Sequence, residues 1–459
     1  MELILVWIFK ERKLGKFNEK SERIIRDLRD KIFSKTFKIL NRKSERDFTR
    51  TRKLGFVGII LFQISTASKT LSVELSKYLT SKKISATEYS KQAYSKGRMK
   101  IKHTCYIELN DSLLEEYYKS EDYKSYKDYR LLGIDGSEIE LQHGASIYKE
   151  FGRVFTNRES INASKSVVIY DLLNELVIDS ELNIYNSSER ASALKQFKRM
   201  QTEGKSRKDI IVADRGFPSL EVFSELLSMG YDFVIRYSGH NFLRETLALV
   251  ESKENDLEIE ISLKSFYQRK RSPRIKELLS KGYPDKIKLR VVKLTLSNGV
   301  KEYLITSILD KNEFTIEDFN EIYNLRWNEE VYFDFQKNIM EIENFTGKSV
   351  ETIKQDYYCT ILVGNLHSLI IADAQEEVDK ETKKNKKLKH QKYKINKSVT
   401  FGIMKEQIYD LLTAKRWKKQ FSLLVKEAKK YKIPVIKNRS FPREKKGNLK
   451  YPITRKRAM

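Results

Sequence analysis

The sequence predicts an α/β chain, a mixed core carrying a β-rich insertion and flanked by helical N- and C-terminal regions. Three observations lead there. Residues 19 to about 120 contain no proline and read as mainly helical. Two apolar runs, LLGID ending at Asp135 and IIVAD ending at Asp214, each close on an acid and are separated by a hairpin pattern and a helix. Farther on, Lys286–Leu296 and Lys301–Ile308 alternate as two strands around Asn298–Gly299. The implied boundaries are 1–125 for the helical N-terminal region, 126–238 for the first part of the core and 239–314 for the insertion. The core resumes over 315–375, and 376–459 is a basic, mainly helical C-terminal region.

In the N-terminal region, Arg42, Lys43, Arg46, Arg50, Arg52 and Lys53 crowd one short segment. The apolar run Phe56–Ile64 reads as a buried helix, and a turn follows at Ser81–Ser85. Ser85 and Glu88 form a capping-box pattern opening a helix that Gly97 ends or weakens. That helix interleaves Tyr89, Lys91, Gln92, Tyr94, Lys96, Arg98 and Lys100, a mixture suited to DNA contact and equally to a solvated basic face.

The 459 residues suit two to four domains. A net charge of +26 points to an anionic partner, most simply nucleic acid. Cys105 and Cys359 are far apart, and the five histidines form no zinc spacing. Any metal chemistry therefore falls to carboxylates, which favour hard ions such as Mg²⁺ or Mn²⁺. The N-terminal apolar run MELILVWIFK precedes its basic residues, the reverse of a secretory signal, and is too short to span a bilayer. The expectation is a cytoplasmic, nucleoid-associated protein with no membrane contact.

The first acid, Asp135, lies inside a strand in YRLLGIDGSEIEL, with Gly136 leaving room for close approach. A buried acid needs a partner. Ser166–Leu172 and Glu175–Ile178 follow as a hairpin turning at Leu173–Asn174, then a helix from about Ser188 to Met200. The second acid, Asp214, closes the buried run Ile210–Ala213, where open α/β sheets bind ligands. Arg215 follows it, and Pro218 opens a helix through about Ser228. Taken singly, each acid reads as readily as a cap or turn residue.

The stretch Tyr323–Lys337, YNLRWNEEVYFDFQK, spaces Tyr323, Arg326, Glu330 and Lys337 as Y-x2-R-x3-E-x6-K. On one ideal helix these four share an arc of roughly 60°. Val331, Tyr332 and Phe335 form the opposite, buried face. Glu330 can hold a metal ion; Tyr323, Arg326 and Lys337 can hold phosphate oxygens, Arg326 as a fork and Lys337 as a point charge. Glu329 falls off the arc, so its substitution is expected to be much milder. Three acids brought together can hold two divalent ions roughly 4 Å apart, as phosphodiester cleavage and transfer require.

DGS at Asp135, DRGF at Asp214 and the Y-x2-R-x3-E-x6-K pattern together resemble the DDE transposases of bacterial insertion sequences, most closely the insertion-sequence-four type. The resemblance runs from about residue 40 to 375. It implies an RNase H-like (retroviral-integrase-like) core, a metal triad of Asp135, Asp214 and Glu330, and cut-and-paste transposition of double-stranded DNA by a dimer assembled on DNA. Some members of that family pass through a DNA hairpin and carry a Trp in the insertion. No Trp stands there in this chain; Tyr303 is nearby, and strand packing accounts for it. A non-catalytic DNA-binding relative and a stand-alone nuclease are the competing expectations.

In the insertion, YQRKRSPRIK (Tyr267–Lys276) is a candidate phosphate-binding loop. Toward the C-terminus, Thr360–Ala374 reads as a buried helix and Lys380–Lys397 as a solvated linker or DNA-tracking segment. An amphipathic helical region, Phe401–Lys432, and a basic tail follow.

Overall fold

The structure is a computed structural model that describes residues 17–66, 70–84, 89–155, 160–238, 254–295, 299–384 and 390–436. The N-terminal run, the Ser85/Glu88 pattern, Asn298 and the basic tail lie outside the described residues. Two compact units emerge. One comprises Lys124–Glu138 and Lys165–Tyr332; the other is drawn from Lys13–Tyr123, Ile139–Ser164 and Phe333–Met459.

The second unit begins with six helices, α1 (Phe17–Phe33), α2 (Lys35–Asn41), α3 (Phe56–Ser65), α4 (Leu71–Ser81), α5 (Lys91–Arg98) and α6 (Thr104–Tyr118). Ser34 and Ser90 cap α2 and α5 through side-chain oxygens. Helix α3 is buried along most of its length, as its apolar run requires.

The first unit is built on a mixed sheet. Its strands are β1 (Arg130–Glu140), β3 (Ser160–Asp171), β4 (Leu176–Ile184), β5 (Asp209–Ala213), β6 (Asp232–Tyr237), β7 (Asp256–Ser262), β8 (Lys286–Thr295) and β9 (Lys301–Thr306); β1 and β3 continue into the second unit. The order is β4-β3-β1-β5-β6-β9-β8-β7. Strands β1, β5 and β6 run parallel, and β9, β8 and β7 continue the sheet antiparallel beyond β6. Parallel neighbours need crossover helices, and the chain supplies α8 (Glu189–Thr202) before β5 and α9 (Leu220–Ser228) before β6. Ser188 caps α8 and Ser219 caps α9, so the second helix starts at Leu220, two residues after Pro218. The β3–β4 turn is closed by Asp171, whose Oδ1 accepts from the backbone N–H groups of Leu173 and Asn174. All five residues of β5 are buried, and its first carboxylate, Asp209, is gripped by Arg130 through two hydrogen bonds of 2.7 and 2.9 Å.

Between β7 and β8 stand α10 (Leu263–Lys270) and α11 (Pro273–Ser280). The segment Tyr267–Lys276 is therefore a junction of two short helices, turned by a left-handed Arg271 (φ 53°), rather than an open loop. Helix α12 (Ile316–Leu325) starts with a full capping box between Thr315 and Asp318. Helix α13 (Trp327–Asn338) follows after a single residue.

The remaining elements of the second unit are α7 (Ala145–Phe151), β2 (Arg153–Phe155), the long α14 (Val350–Lys384), β10 (Tyr393–Ile395), α15 (Lys397–Thr413), α16 (Trp417–Lys430) and β11 (Lys432–Pro434). Helix α14 carries the expected buried run and continues through Lys384, so the start of the lysine-rich segment is helical rather than linker. Two residues of the basic interleaved helix are core residues: Tyr94 and Arg98 are each 1% exposed. Arg98 donates to Gln355 Oε1, Thr352 O and Asp356 Oδ1 at 2.6–2.7 Å. A fully buried guanidinium survives because carboxylate, amide and carbonyl acceptors surround it. No helix among the described residues is long and apolar enough to cross a membrane.

Candidate active site

The sheet register brings the two aspartates together. Strands β1 and β5 pair in parallel up to Ile134↔Ala213, and the next residue on each strand is Asp135 and Asp214. Adjacent parallel strands lie about 4.8 Å apart, so the two residues stand on neighbouring strands at the carboxyl end of β5, while β1 runs on to Glu140. Each accepts one local hydrogen bond, Asp135 Oδ1 from Gly136 N–H at 2.8 Å and Asp214 Oδ1 from Gly216 N–H at 2.7 Å. Burial, with added repulsion from Asp214 and Glu189, pushes Asp135 up to about 6 against the pull of the Gly136 N–H and Arg326. Arg215 is exposed beside the pair.

The chain from Tyr323 onward is not one helix. Arg326 N–H bonds to Tyr323 O and Glu329 N–H to Arg326 O, both reaching back three residues instead of four. This tightened turn advances about 120° per residue against 100° in an α-helix, so α13 is re-indexed relative to α12. The inward line of α13 is Glu329, Tyr332 and Gln336, all buried, while Val331 is 48% exposed. The arc drawn on one ideal helix therefore fails beyond Arg326. Glu329, expected off the site, is 0% exposed, with neither carboxylate oxygen hydrogen-bonded among the described residues. Burial holds its carboxyl well above the usual range, and Asp135, Asp214 and Glu330 add repulsion that Arg326 partly offsets.

Two contacts set this orientation. Asn328 Nδ2 donates to Leu172 O at 3.0 Å, and Tyr332 stacks on Tyr170 with ring centroids 4.7 Å apart. Gly133, two residues before Asp135 on the same strand face, leaves the space that Glu329 fills.

Glu330 is half-buried and accepts from Arg326 Nη2 at 2.7 Å. Arg326 lies over the Tyr323 ring at 5.5 Å. Its Nε and the Tyr323 hydroxyl are buried without a hydrogen bond of ordinary geometry among the described residues. Burial opposes the Arg326 charge, but Tyr323 and Glu330 outweigh it and raise its pKa. Lys337 lies seven residues beyond Glu330 on α13, 3.8 Å from Glu343. Tyr303 is buried in β9 opposite Tyr237.

Glu189, absent from the residues that the sequence pattern points to, opens α8 against Gly136, where a Cβ would lie 2.5 Å from its Cδ. It pairs with Lys165 at 3.0 Å. Its signal is the acid directly after a capping serine.

Among the described residues, no three His, Cys, Asp or Glu side chains sit close enough together to hold an ion. The donor set nevertheless suits a hard divalent cation. Asp135 and Asp214 each keep an oxygen clear of the local bond, and both Glu329 oxygens are buried and unpartnered.

A profile of the family described as "Transposase DDE domain" matches residues 126–366. No curated protein matches the chain. Among solved structures, the chain is similar to a piggyBac transposase in a synaptic complex with hairpin DNA. The match has 11% identity and a TM-score of 0.44, and covers 92% of this chain and 84% of that one.

Proposed function

Because this chain belongs to the family of transposase DDE domains, we propose that it is the transposase of a bacterial insertion sequence. In this reading it binds the element's ends as double-stranded DNA and moves the element by cut-and-paste cleavage and strand transfer, as a dimer on DNA in the cytoplasm. The observation that carries the reading is that Asp135 and Asp214 come directly after the last register pair, Ile134↔Ala213, of two parallel strands, at the carboxyl end of β5. The order β4-β3-β1-β5-β6 supports an RNase H-like core, which β7–β9 extend.

Asp135 and Asp214 would hold Mg²⁺, or Mn²⁺ in its place, with Glu330 at the glutamate position of the signature as third ligand. A bound divalent ion supplies an activated hydroxyl nucleophile and stabilises the leaving oxygen. The Tyr323 hydroxyl and Arg326 Nε are buried without a hydrogen bond of ordinary geometry among the described residues, while Arg326 Nη2 holds Glu330, an arrangement that suits a DNA phosphate. Arg215 at the sheet end and Lys337 farther along α13 add positive charge along the strand to be cut.

Incubating the full chain with DNA carrying its own element ends and Mg²⁺ tests this reading. Excision followed by joining of the freed 3′-OH ends to a target is the expected result. Cutting without joining would make it a nuclease, and binding without cutting a non-catalytic DNA-binding protein.

A further inference from the structure

We propose that a hollow between the starts of α8 and α9 and the junction of α10 with α11 grips one phosphate of the DNA backbone, with its deoxyribose, through Arg190 and Arg274. This role rests on the DNA-cleaving reading above and adds to it a binding site away from Arg326 and Lys337.

The hollow lies within the first unit and has a volume of about 390 Å³. Pockets for small organic groups run from about 300 to 1,000 Å³. Its place in the fold is next to the aspartates along the chain. Ser219, on one wall, stands five residues after Asp214. Ser188, on another, directly precedes Glu189, which packs against the Gly136 position beside Asp135.

The lining has two kinds of surface. Arg190 is exposed and makes no hydrogen bond or ion pair among the described residues. Arg274 donates Nη1 to Glu221 at 2.6 Å and keeps Nε and Nη2 uncommitted among the described residues. Two guanidinium groups against one carboxylate leave the hollow positive. Ser188 and Ser219 accept backbone N–H groups through Oγ, so each retains its hydroxyl proton to donate, and Ser272 makes no cap bond at all. Opposite these donors is an apolar wall, formed by Leu220 and Ile275, each 3% exposed, and half-buried Phe266. The left-handed turn at Arg271 is what brings Phe266 and Arg274, from successive helices, to one hollow.

A tie between helices would use the Arg274–Glu221 pair and leave no reason for Arg190. An apolar ligand would have no use for either arginine. A backbone phosphate suits the guanidinium forks and hydroxyl donors, and the carbon face of its sugar suits the apolar wall.

The test uses the full chain in Ca²⁺ and duplexes of its own element ends, each with one phosphate replaced by a neutral methylphosphonate, read by gel shift. Wild type should lose affinity by about threefold to tenfold at the linkage the hollow grips. Arg190→Ala and Arg274→Ala should bind unmodified DNA more weakly by a similar factor, and the methylphosphonate at that linkage should then cost nothing further. Glu221→Gln should bind unmodified DNA as tightly as wild type or about threefold more tightly, because it releases Arg274 and removes a repelling charge. All three variants should melt near wild type, since Arg190 is unpaired and the Arg274–Glu221 pair is largely exposed.

Interference profiles in both arginine variants identical to that of wild type would overturn the phosphate site and leave the DNA reading standing. Weaker binding and a lower melting point in Glu221→Gln, matching Arg274→Ala, would show the pair serving the fold alone and would overturn it as well. No binding of element ends by wild type would remove both the site and the reading.

Discussion

Gly133 and Glu329 share one side-chain space: a Cβ on Gly133 would lie 2.5 Å from Glu329 Oε2 and 2.8 Å from Leu172 Cδ2. Gly133→Ala must therefore push both groups aside. The expected loss of stability is about 1–3 kcal/mol, as in other overpacked cores. Mg²⁺-dependent DNA cleavage should fall further than that loss explains, by about a hundredfold, because the carboxylate is displaced from the aspartates. Melting curves and cleavage rates on the same preparation separate the two effects.

Asp135 gives the metal-free chain a defined pH response. Its carboxyl titrates at about 6 in the folded protein, above the ordinary aspartate value. A raised acid pKa means the unfolded chain ionises more easily, so stability falls as pH rises from about 4 through 6. Asp135→Asn removes this loss. With EDTA present, the variant should match wild type near pH 4 and exceed it by about 2 kcal/mol at pH 7, as urea denaturation at both values would read.

The Arg130–Asp209 pair lies inside the sheet, with side chains 1% and 0% exposed. Breaking it from one side leaves an unpaired buried charge, so Arg130→Met or Asp209→Leu should each cost about 3–5 kcal/mol. The double substitution should recover most of that loss. A double-mutant cycle by chemical denaturation measures the coupling; simple additivity would refute it.

Arg326 holds Glu330 with one nitrogen and keeps Nε buried without a hydrogen bond of ordinary geometry. Arg326→Lys keeps the charge but loses the planar fork. End cleavage should drop by about tenfold to a hundredfold while end binding in Ca²⁺ changes by less than about threefold, since most of the affinity comes from other phosphate contacts. Gel shifts and single-turnover cleavage check the split.

In the second unit, Arg46, Arg50, Arg52, Lys96 and Lys100 line one groove together with Tyr89. All five basic residues are exposed, unlike Arg98. Changing Arg50 and Arg52 together to Ala should weaken DNA binding and reduce the slope of log affinity against log salt by about 0.9 for each phosphate no longer neutralised. An unchanged slope would place the DNA elsewhere.

The fold was most legible where burial and local chemistry agree. The run Ile210–Ala213 has no polar residue to offer water, so it had to be an interior strand with Asp214 at its exit. Ser188 announced the helix that follows it directly, and Pro218 one that starts two residues later behind a Ser219 cap. The site was less legible at α13. Nothing between Tyr323 and Lys337 is glycine or proline, so no residue signals the tightened turn at Arg326. That turn comes from tertiary anchoring through Asn328 and Tyr332, which only the assembled sheet provides. The same holds for Arg98, whose burial depends on acceptors some 250 residues away.

The one-residue joint at Arg326 has a consequence for how this chain can vary. Neighbouring residues on a helix point about 100° apart, and here the two neighbours are both glutamates. Deleting a single residue at the joint would turn α13 like an indexed dial and bring Glu330 to the place of Glu329, facing the sheet, with Val331 in the place that faces Arg326. A length change that would ordinarily strip a site of its acid would here still present one to the sheet, with the loss falling on the partner of Arg326.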